Sequence, residues 1–317
     1  MASTATCAHL AMNSPLLNPS DITLDILTQL RRIADSLERA FPAVGSCLLD
    51  PDVIAYQWQY RMRQGTSQAQ LIPVPHPGLI SFDQLKNVDR QKQLIRQNTQ
   101  QFVDGKPANN VLLTGSRGTG KSSLVKACLD EFHAQGLKLI EVDKENIGDL
   151  PEVIEIVSRE TGRFILFCDD LSFEEGDIGY KRLKTVLDGS IAGQASNSLI
   201  YATSNRRHLI AERASDNLSR TRGEDGALHP GEEVEEKISL SERFGLWISF
   251  HGFSPDEYIN AVNQWLATYG VPEEAFEEAH VHATRWATQR GSRSGRIAAQ
   301  FARDYAGRLG NRPATLG

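Results

Sequence analysis

Cysteine and methionine are scarce in this sequence, at four and three residues among 317. Cys7, Cys47, Cys128 and Cys168 stand at none of the short spacings that ligate zinc or mark a disulfide framework, which argues against both small-scaffold classes. Cys128 and Cys168 fall inside apolar runs and read as reduced packing thiols. No apolar run approaches the roughly 20 residues that a bilayer-crossing helix needs. The first twenty residues, MASTATCAHLAMNSPLLNPS, hold no Lys or Arg and no long apolar stretch, which argues against a targeting leader. The expectation is a cytoplasmic protein with no membrane attachment. Excess positive charge is missing too: 34 Lys+Arg against 40 Asp+Glu leave a net charge of -6, so there is no bulk attraction to nucleic acid. The hydrophobic fraction of 40% and the charged fraction of 23% are those of an ordinary globular chain.

What is present falls into three parts. From Ser20 to Phe41, Leu24, Ile26, Leu27, Leu30, Ile33 and Leu37 recur at helical spacing with charges opposite, so an amphipathic helix is expected there. PDVIAYQWQYRMRQ reads as a second helical piece, followed by the Pro- and Gly-bearing linker LIPVPHPGLISF. Residues 1–76 are therefore expected to form an N-terminal helical extension. From 77 to 252, the apolar runs NNVLLTG, LKLIEVD, FILFCDD, SLIYATSN and LWISFHGF alternate with helical patterns, which predicts a parallel sheet with crossover helices. From 253 to 317 the pattern is helical. FSPDEY opens it with Ser254 as N-cap, Pro255 at the first helical position and Glu257 as the box partner.

Two motifs carry chemistry. GSRGTGKSS, with Gly115, Ser116, Arg117, Gly118, Thr119, Gly120, Lys121, Ser122 and Ser123, matches the phosphate-binding loop pattern and lies between an apolar strand and a helix. Its glycines let successive N–H groups turn inward onto phosphate, and the helix adds its positive end. Lys121 would reach the outer phosphates of ATP, and Ser122 would ligate Mg²⁺. The run RFILFCDD ends in two adjacent carboxylates that repel each other unless a cation or proton relieves them. A strand ending near the loop would bring Asp169 to that Mg²⁺. Asp170 would orient or deprotonate the attacking water, with Glu174 or Glu175 as the longer alternatives.

These motifs in this order, over about Ile80 to Leu309, resemble the AAA+ ATPase superfamily, and most closely short bacterial members belonging to a family of unknown function. The resemblance implies a five-stranded parallel sheet sandwiched by helices, followed by a helical lid, with ATP bound between them and at subunit interfaces of a homo-oligomer. It assigns Asn205, in LIYATSNRRHL, to the position that senses the outer phosphate. Arg243, in LSERFGLWISF, matches the arginine supplied to a neighbouring subunit's nucleotide. In RGSRSGRIAAQF it points to Arg293, with Arg296 as second choice, as the lid arginine. Arg285, Arg290, Arg293, Arg296, Arg303, Arg308 and Arg312 make this tail basic, either as a solvated lid face or as a nucleic-acid surface. Trp265, Trp286 and Phe301 read as lid core. Protein-threading members carry an aromatic pore residue after the second core strand, where this chain has DKENIGDL. Some DNA-acting members share the paired aspartates, but no helix-turn-helix pattern follows the lid here. The expected activity is Mg-ATP hydrolysis that remodels or loads a protein or protein–nucleic-acid partner, with an ATP-gated switch as the alternative.

Overall fold

The computed structural model describes residues 27–33, 36, 49–63, 66–173, 177–188, 196–205, 221–222, 228–229 and 240–310. By compactness the chain divides into Met1–Leu48 and Leu49–Gly317. In the first unit, residues 27–33 form helix α1 with Leu27, Leu30 and Ile33 exposed. Leu24, Ile26 and Leu37 lie outside the described residues, as do Cys7, Cys47, Glu174, Glu175, the GEEVEEK run and Arg312.

The second unit is built on seven strands: β1 (Ala55–Arg63), β2 (Thr66–Pro73), β3 (Val111–Gly115), β4 (Leu137–Val142), β5 (Arg163–Cys168), β6 (Ser198–Ser204) and, after a separate ribbon, β9 (Leu246–Phe250). They form one sheet in the order β2-β1-β4-β5-β6-β3-β9. The ribbon pairs β7 (Thr221–Arg222) with β8 (Leu228–His229). From β4 to β9 every neighbouring pair in the sheet is parallel, and β3, which carries the phosphate-loop motif, lies between β6 and β9. Five core strands are thus present as expected.

The other two strands correct the sequence reading. PDVIAYQWQYRMRQ, expected to be helical, contains β1, which pairs antiparallel with β2 and parallel with β4. The physical reason is the alternation Tyr56, Trp58, Tyr60, Met62, which has the two-residue period of a strand. Ala55–Trp58 lies in register with Leu139–Val142, and Trp58 is fully buried.

Alternation divides the core strands between two layers. Leu112, Ile140, Val142, Leu166, Cys168 and Ile200 face α4 (Leu150–Ser158) and α5 (Ile178–Asp188). Val111, Leu113, Leu139, Ile165, Phe167 and Tyr201 face α2 (Asp89–Val103) and α3 (Lys121–Phe132). Cys128 and Cys168 are buried free thiols, each raised to about 12 chiefly by burial, as packing residues should be. The helical lid comprises α6 (Pro255–Thr268), α7 (Phe276–Gln289) and α8 (Gly295–Arg308) around their own apolar cluster. The box at its start is formed: Ser254 N donates to Glu257 Oε2 at 2.7 Å, and Glu257 N donates to Ser254 Oγ at 3.2 Å.

Gly115 fixes the exit from β3. Its φ is +126°, and a Cβ there would lie 1.9 Å from the backbone oxygen of Phe250 in β9. Neither partner is a movable side chain, so Gly115→Ala is expected to cost roughly 3 kcal/mol or more through strain and displacement of β9. Equilibrium denaturation measures this directly, and a loss below about 1 kcal/mol would mean that the strand pair yields more easily than its geometry implies.

Candidate functional site

The loop after β3 surrounds one end of a cavity of about 560 Å³. Arg117, Gly118, Thr119, Gly120, Lys121, Ser122 and Ser123 line that end, together with Asp169, Asp170, Thr203 and Asn205 at the C-terminal tips of β5 and β6. Ile80, Leu85, Val88, Phe253, Ala261 and Trp265 supply an apolar lining. A polar floor with an apolar wall, at this volume, matches an amphiphilic ligand of nucleotide size.

The polar groups are joined into one chain of hydrogen bonds. Ser122 Oγ donates to Asp169 Oδ1 at 2.7 Å, and Thr203 Oγ1 donates to the same oxygen at 2.5 Å. Asp170 N donates to Thr203 Oγ1 at 2.9 Å, while Asn205 Nδ2 donates to Asp170 Oδ1. Lys121 Nζ donates to Asn205 Oδ1 at 3.0 Å and to the loop carbonyls of Gly115 and Ser116 at 2.7 and 2.8 Å. Burial lowers the Lys121 ammonium from 10.5 to about 8; Asp169 and Asp170 oppose the shift, while Arg296 and Arg117 add to it. A cation held in a pocket that disfavours its charge is a group prepared for an incoming anion.

The lid meets the loop through α8. Arg296 N donates to Gly118 O at 3.1 Å, and a Cβ on Gly118, whose φ is +74°, would come within 2.8 Å of Ser294 Oγ. Arg293 and Arg296 are both exposed, but only Arg296 lines the cavity. Arg243 is also outside the lining and pairs with Asp188 at the end of α5. Of the basic tail, Arg308 pairs with Asp304 at 2.7 Å, Arg290 sits 4.2 Å above the Trp286 ring, and Arg303 donates to Tyr269 at 3.2 Å. Trp286 and Phe301 pack edge to face within the lid, while Trp265 stacks on Tyr269 and also faces the cavity.

Sequence reasoning misses Thr203 and the segment from Ile80 to Val88. Thr203 has a signal: it lies two residues before Asn205 at the end of the same strand, so both point toward the same face. The 80–88 segment carries no motif.

For a metal, the donor set is hydroxyl and carboxylate oxygen, Ser122 beside Asp169, which suits a hard cation such as Mg²⁺ whose remaining positions are filled by water and phosphate. Among the described residues no cluster of three or more His, Cys, Asp or Glu could hold a metal without such help.

A parallel sheet with its loop strand between the fourth and fifth core strands, a glycine loop opening a helix, paired carboxylates on a neighbouring strand and a helical lid over the loop are the arrangement that the resemblance to AAA+ P-loop folds implies. The chain belongs to the family described as "Protein of unknown function (DUF815)", whose model matches residues 52–309. No curated protein matches it. Solved structures to which it is similar include a point mutant of RuvB from Thermotoga maritima, at 16% identity and a TM-score of 0.46 over 73% of this chain and 66% of that one. Another is the Aeropyrum pernix Orc1 protein in complex with DNA, at 13% identity and a TM-score of 0.48 over 74% of this chain and 62% of that one. The chain thus spans less than two thirds of the length of either. Among the described residues no helix is long and apolar enough to cross a membrane.

Proposed function

We propose that this protein binds and hydrolyses Mg-ATP and uses the cycle to remodel or load a protein or protein–nucleic-acid partner. The carrying observation is the hydrogen-bonded chain Ser122–Asp169–Thr203–Asp170–Asn205–Lys121 around the glycine loop. In this reading Lys121, the loop N–H groups and the first turn of α3 hold the phosphates, and Ser122 and Asp169 hold Mg²⁺. Held there, the metal would supply neutralisation of charge developing on the phosphate oxygens. Asp170 takes the proton of the attacking water, and Asn205 keeps that carboxylate directed into the cavity. Arg296 reaches the phosphates from the lid, with Arg293 the alternative from the preceding turn. Arg243 leaves Asp188 to serve a neighbouring copy in a homo-oligomer. Titration with Mg-ATP alongside steady-state phosphate release tests the proposal; absence of binding would overturn it.

Asp170→Asn keeps the size of the side chain and the Thr203 contact to its backbone, but removes the proton acceptor. It is expected to bind Mg-ATP as the unaltered protein does and to turn over roughly 10²-fold or more slowly. Wild-type turnover in that variant would reassign the base to Glu174 or Glu175.

The Lys121 shift adds a pH dependence with a defined sign. Below about pH 8 most of the protein carries the charged ammonium, so affinity should change by no more than about twofold between pH 7 and 8. At pH 9 about a tenth of the free protein retains the proton, so Kd for ATP should rise about tenfold, with proton uptake on binding. Calorimetry in buffers of different ionisation enthalpy reads both, and equal affinity at pH 7 and 9 contradicts the assignment. For the fold itself the slope is opposite. Between about 8 and 10.5 the unfolded chain holds a proton that the folded chain has released, so this group's contribution to stability improves as pH rises across that window.

Loading or switching is favoured over threading by the segment after β4. Ile147 is fully buried, Gly148 O accepts from Arg182 at 2.7 Å, and Asp149 Oδ2 accepts from Trp58 Nε1 and Tyr60 OH at 3.0 and 2.8 Å. A segment held on three sides and lacking an aromatic tip is a poor grip for a moving polypeptide.

A further inference from the structure

Thr203 is 2% exposed and is hydrogen-bonded to both members of the aspartate pair. Its hydroxyl proton goes to Asp169 Oδ1, and its oxygen accepts the Asp170 backbone N–H. A hydroxyl can do both because it carries one donor and two acceptor sites. Neither bond is generic packing. Asp169 Oδ1 also receives the Ser122 hydroxyl, so Thr203 and Ser122 together fix which carboxylate oxygen faces the loop and which stays open. Asp170 has φ +53°, a left-handed conformation uncommon for a residue with a side chain, and the Thr203 acceptor holds its N–H there. Asn205, two residues further along the chain, then meets the Asp170 carboxylate.

We infer that Thr203 is a positioning residue that couples the two halves of the site, setting the metal-side carboxylate Asp169 and the water-side carboxylate Asp170 from a single hydroxyl. The inference rests on the Mg-ATPase reading above. Its support below is also rigid: Tyr201, on the same strand face, is fully buried and hydrogen-bonded to Thr99 at 2.8 Å and Asn98 at 3.1 Å on α2. The hydroxyl of Thr203 therefore stands on a strand that is anchored just below it.

Thr203→Val replaces the hydroxyl with a methyl of similar size and removes the donor and the acceptor together, while Thr203→Ser keeps both. The full chain is titrated with ATP, without Mg²⁺ and over a Mg²⁺ series, and kcat and KM are measured with thermal unfolding as a control. Thr203→Val should bind Mg²⁺-free ATP as the unaltered protein does, need several-fold more Mg²⁺ for full nucleotide affinity, and lose about tenfold or more in kcat. Thr203→Ser should restore both the Mg²⁺ requirement and kcat. In an Asp170→Asn background the Thr203→Val loss in kcat should shrink: the backbone contact at 170 remains, but the carboxylate that it positions no longer takes a proton.

Unchanged Mg²⁺ requirement and kcat in a folded Thr203→Val protein would overturn the inference, as would a Thr203→Ser protein as impaired as Thr203→Val. If Thr203→Val does not fold, Thr203→Ser alone decides: full activity there supports the hydroxyl, and a loss of about tenfold in kcat overturns it. Failure of the unaltered protein to bind ATP at all would remove the functional reading, and the inference with it, which distinguishes that result from every other.

Discussion

Lys121→Ala should leave a folded protein that no longer holds ATP. The residue is 6% exposed, and its pocket disfavours its charge, so the folded state gives up little by losing it. The thermal midpoint should stay unchanged or rise. Binding should respond in the opposite sense. Lys121 is the loop residue whose ammonium converges with the Asp170–Asn205 pair, and removing one partner of a buried charge-assisted contact typically costs about 2–5 kcal/mol, or roughly 30- to several thousand-fold in affinity. Calorimetric titration of the variant with Mg-ATP is the measurement. Affinity within about threefold of the unaltered protein would remove the nucleotide assignment, because no other cation in the loop has equivalent burial and contacts.

The second large effect concerns Arg243. In the single chain it is paired with Asp188 and stands away from the cavity lining, so it cannot act on its own chain's phosphates without leaving that partner. A guanidinium delivered to phosphoryl transfer from outside is worth about 10³ to 10⁵ in rate in the best-understood cases. Arg243→Ala should therefore bind ATP normally and hydrolyse it slower by about 10³-fold or more. Mixing locates the arginine. Arg243→Ala and Lys121→Ala proteins, each inactive alone, should recover part of the activity when assembled together, since some interfaces then join an intact loop to an intact arginine. Co-assembly without recovery would mean that Arg243 does not act across an interface. The Asp188 pair also gives a graded control: Asp188→Asn loosens the arginine's hold on α5 without removing the guanidinium and should not reduce turnover.

How much of this is legible in the sequence depends on how local the deciding contacts are. The glycine loop is contiguous, lies between its strand and its helix, and needs no distant partner to be recognised. Asp169 and Asp170 are legible because strand tips in a parallel sheet converge on the end of the sheet where the loop lies, and Asn205 through the family resemblance of its strand end. The β1–β2 hairpin is only half legible: Tyr56, Trp58, Tyr60 and Met62 alternate with the period of a strand, but the register of Ala55–Trp58 with Leu139–Val142 that places it in the sheet lies more than eighty positions away. Thr203 escapes for a related reason. A threonine in a strand is unremarkable until the neighbouring strand is seen to end in two aspartates that both need it. The lid arginine shows the same limit in smaller form: Arg293 and Arg296 both stand at the start of α8, and only the approach of that helix to Gly118 separates the one that lines the cavity from the one that does not.

The hairpin changes where this molecule can be divided. A chain begun after the Pro-rich linker would retain every motif of the nucleotide site. It would, however, strip Trp58 from the interior, leave Leu137–Val142 with one side of its ladder open, and deprive Asp149 of both donors. The compact unit that holds the nucleotide site begins at Leu49, and its two outer strands serve as the selvedge that keeps the sheet from unravelling at that border.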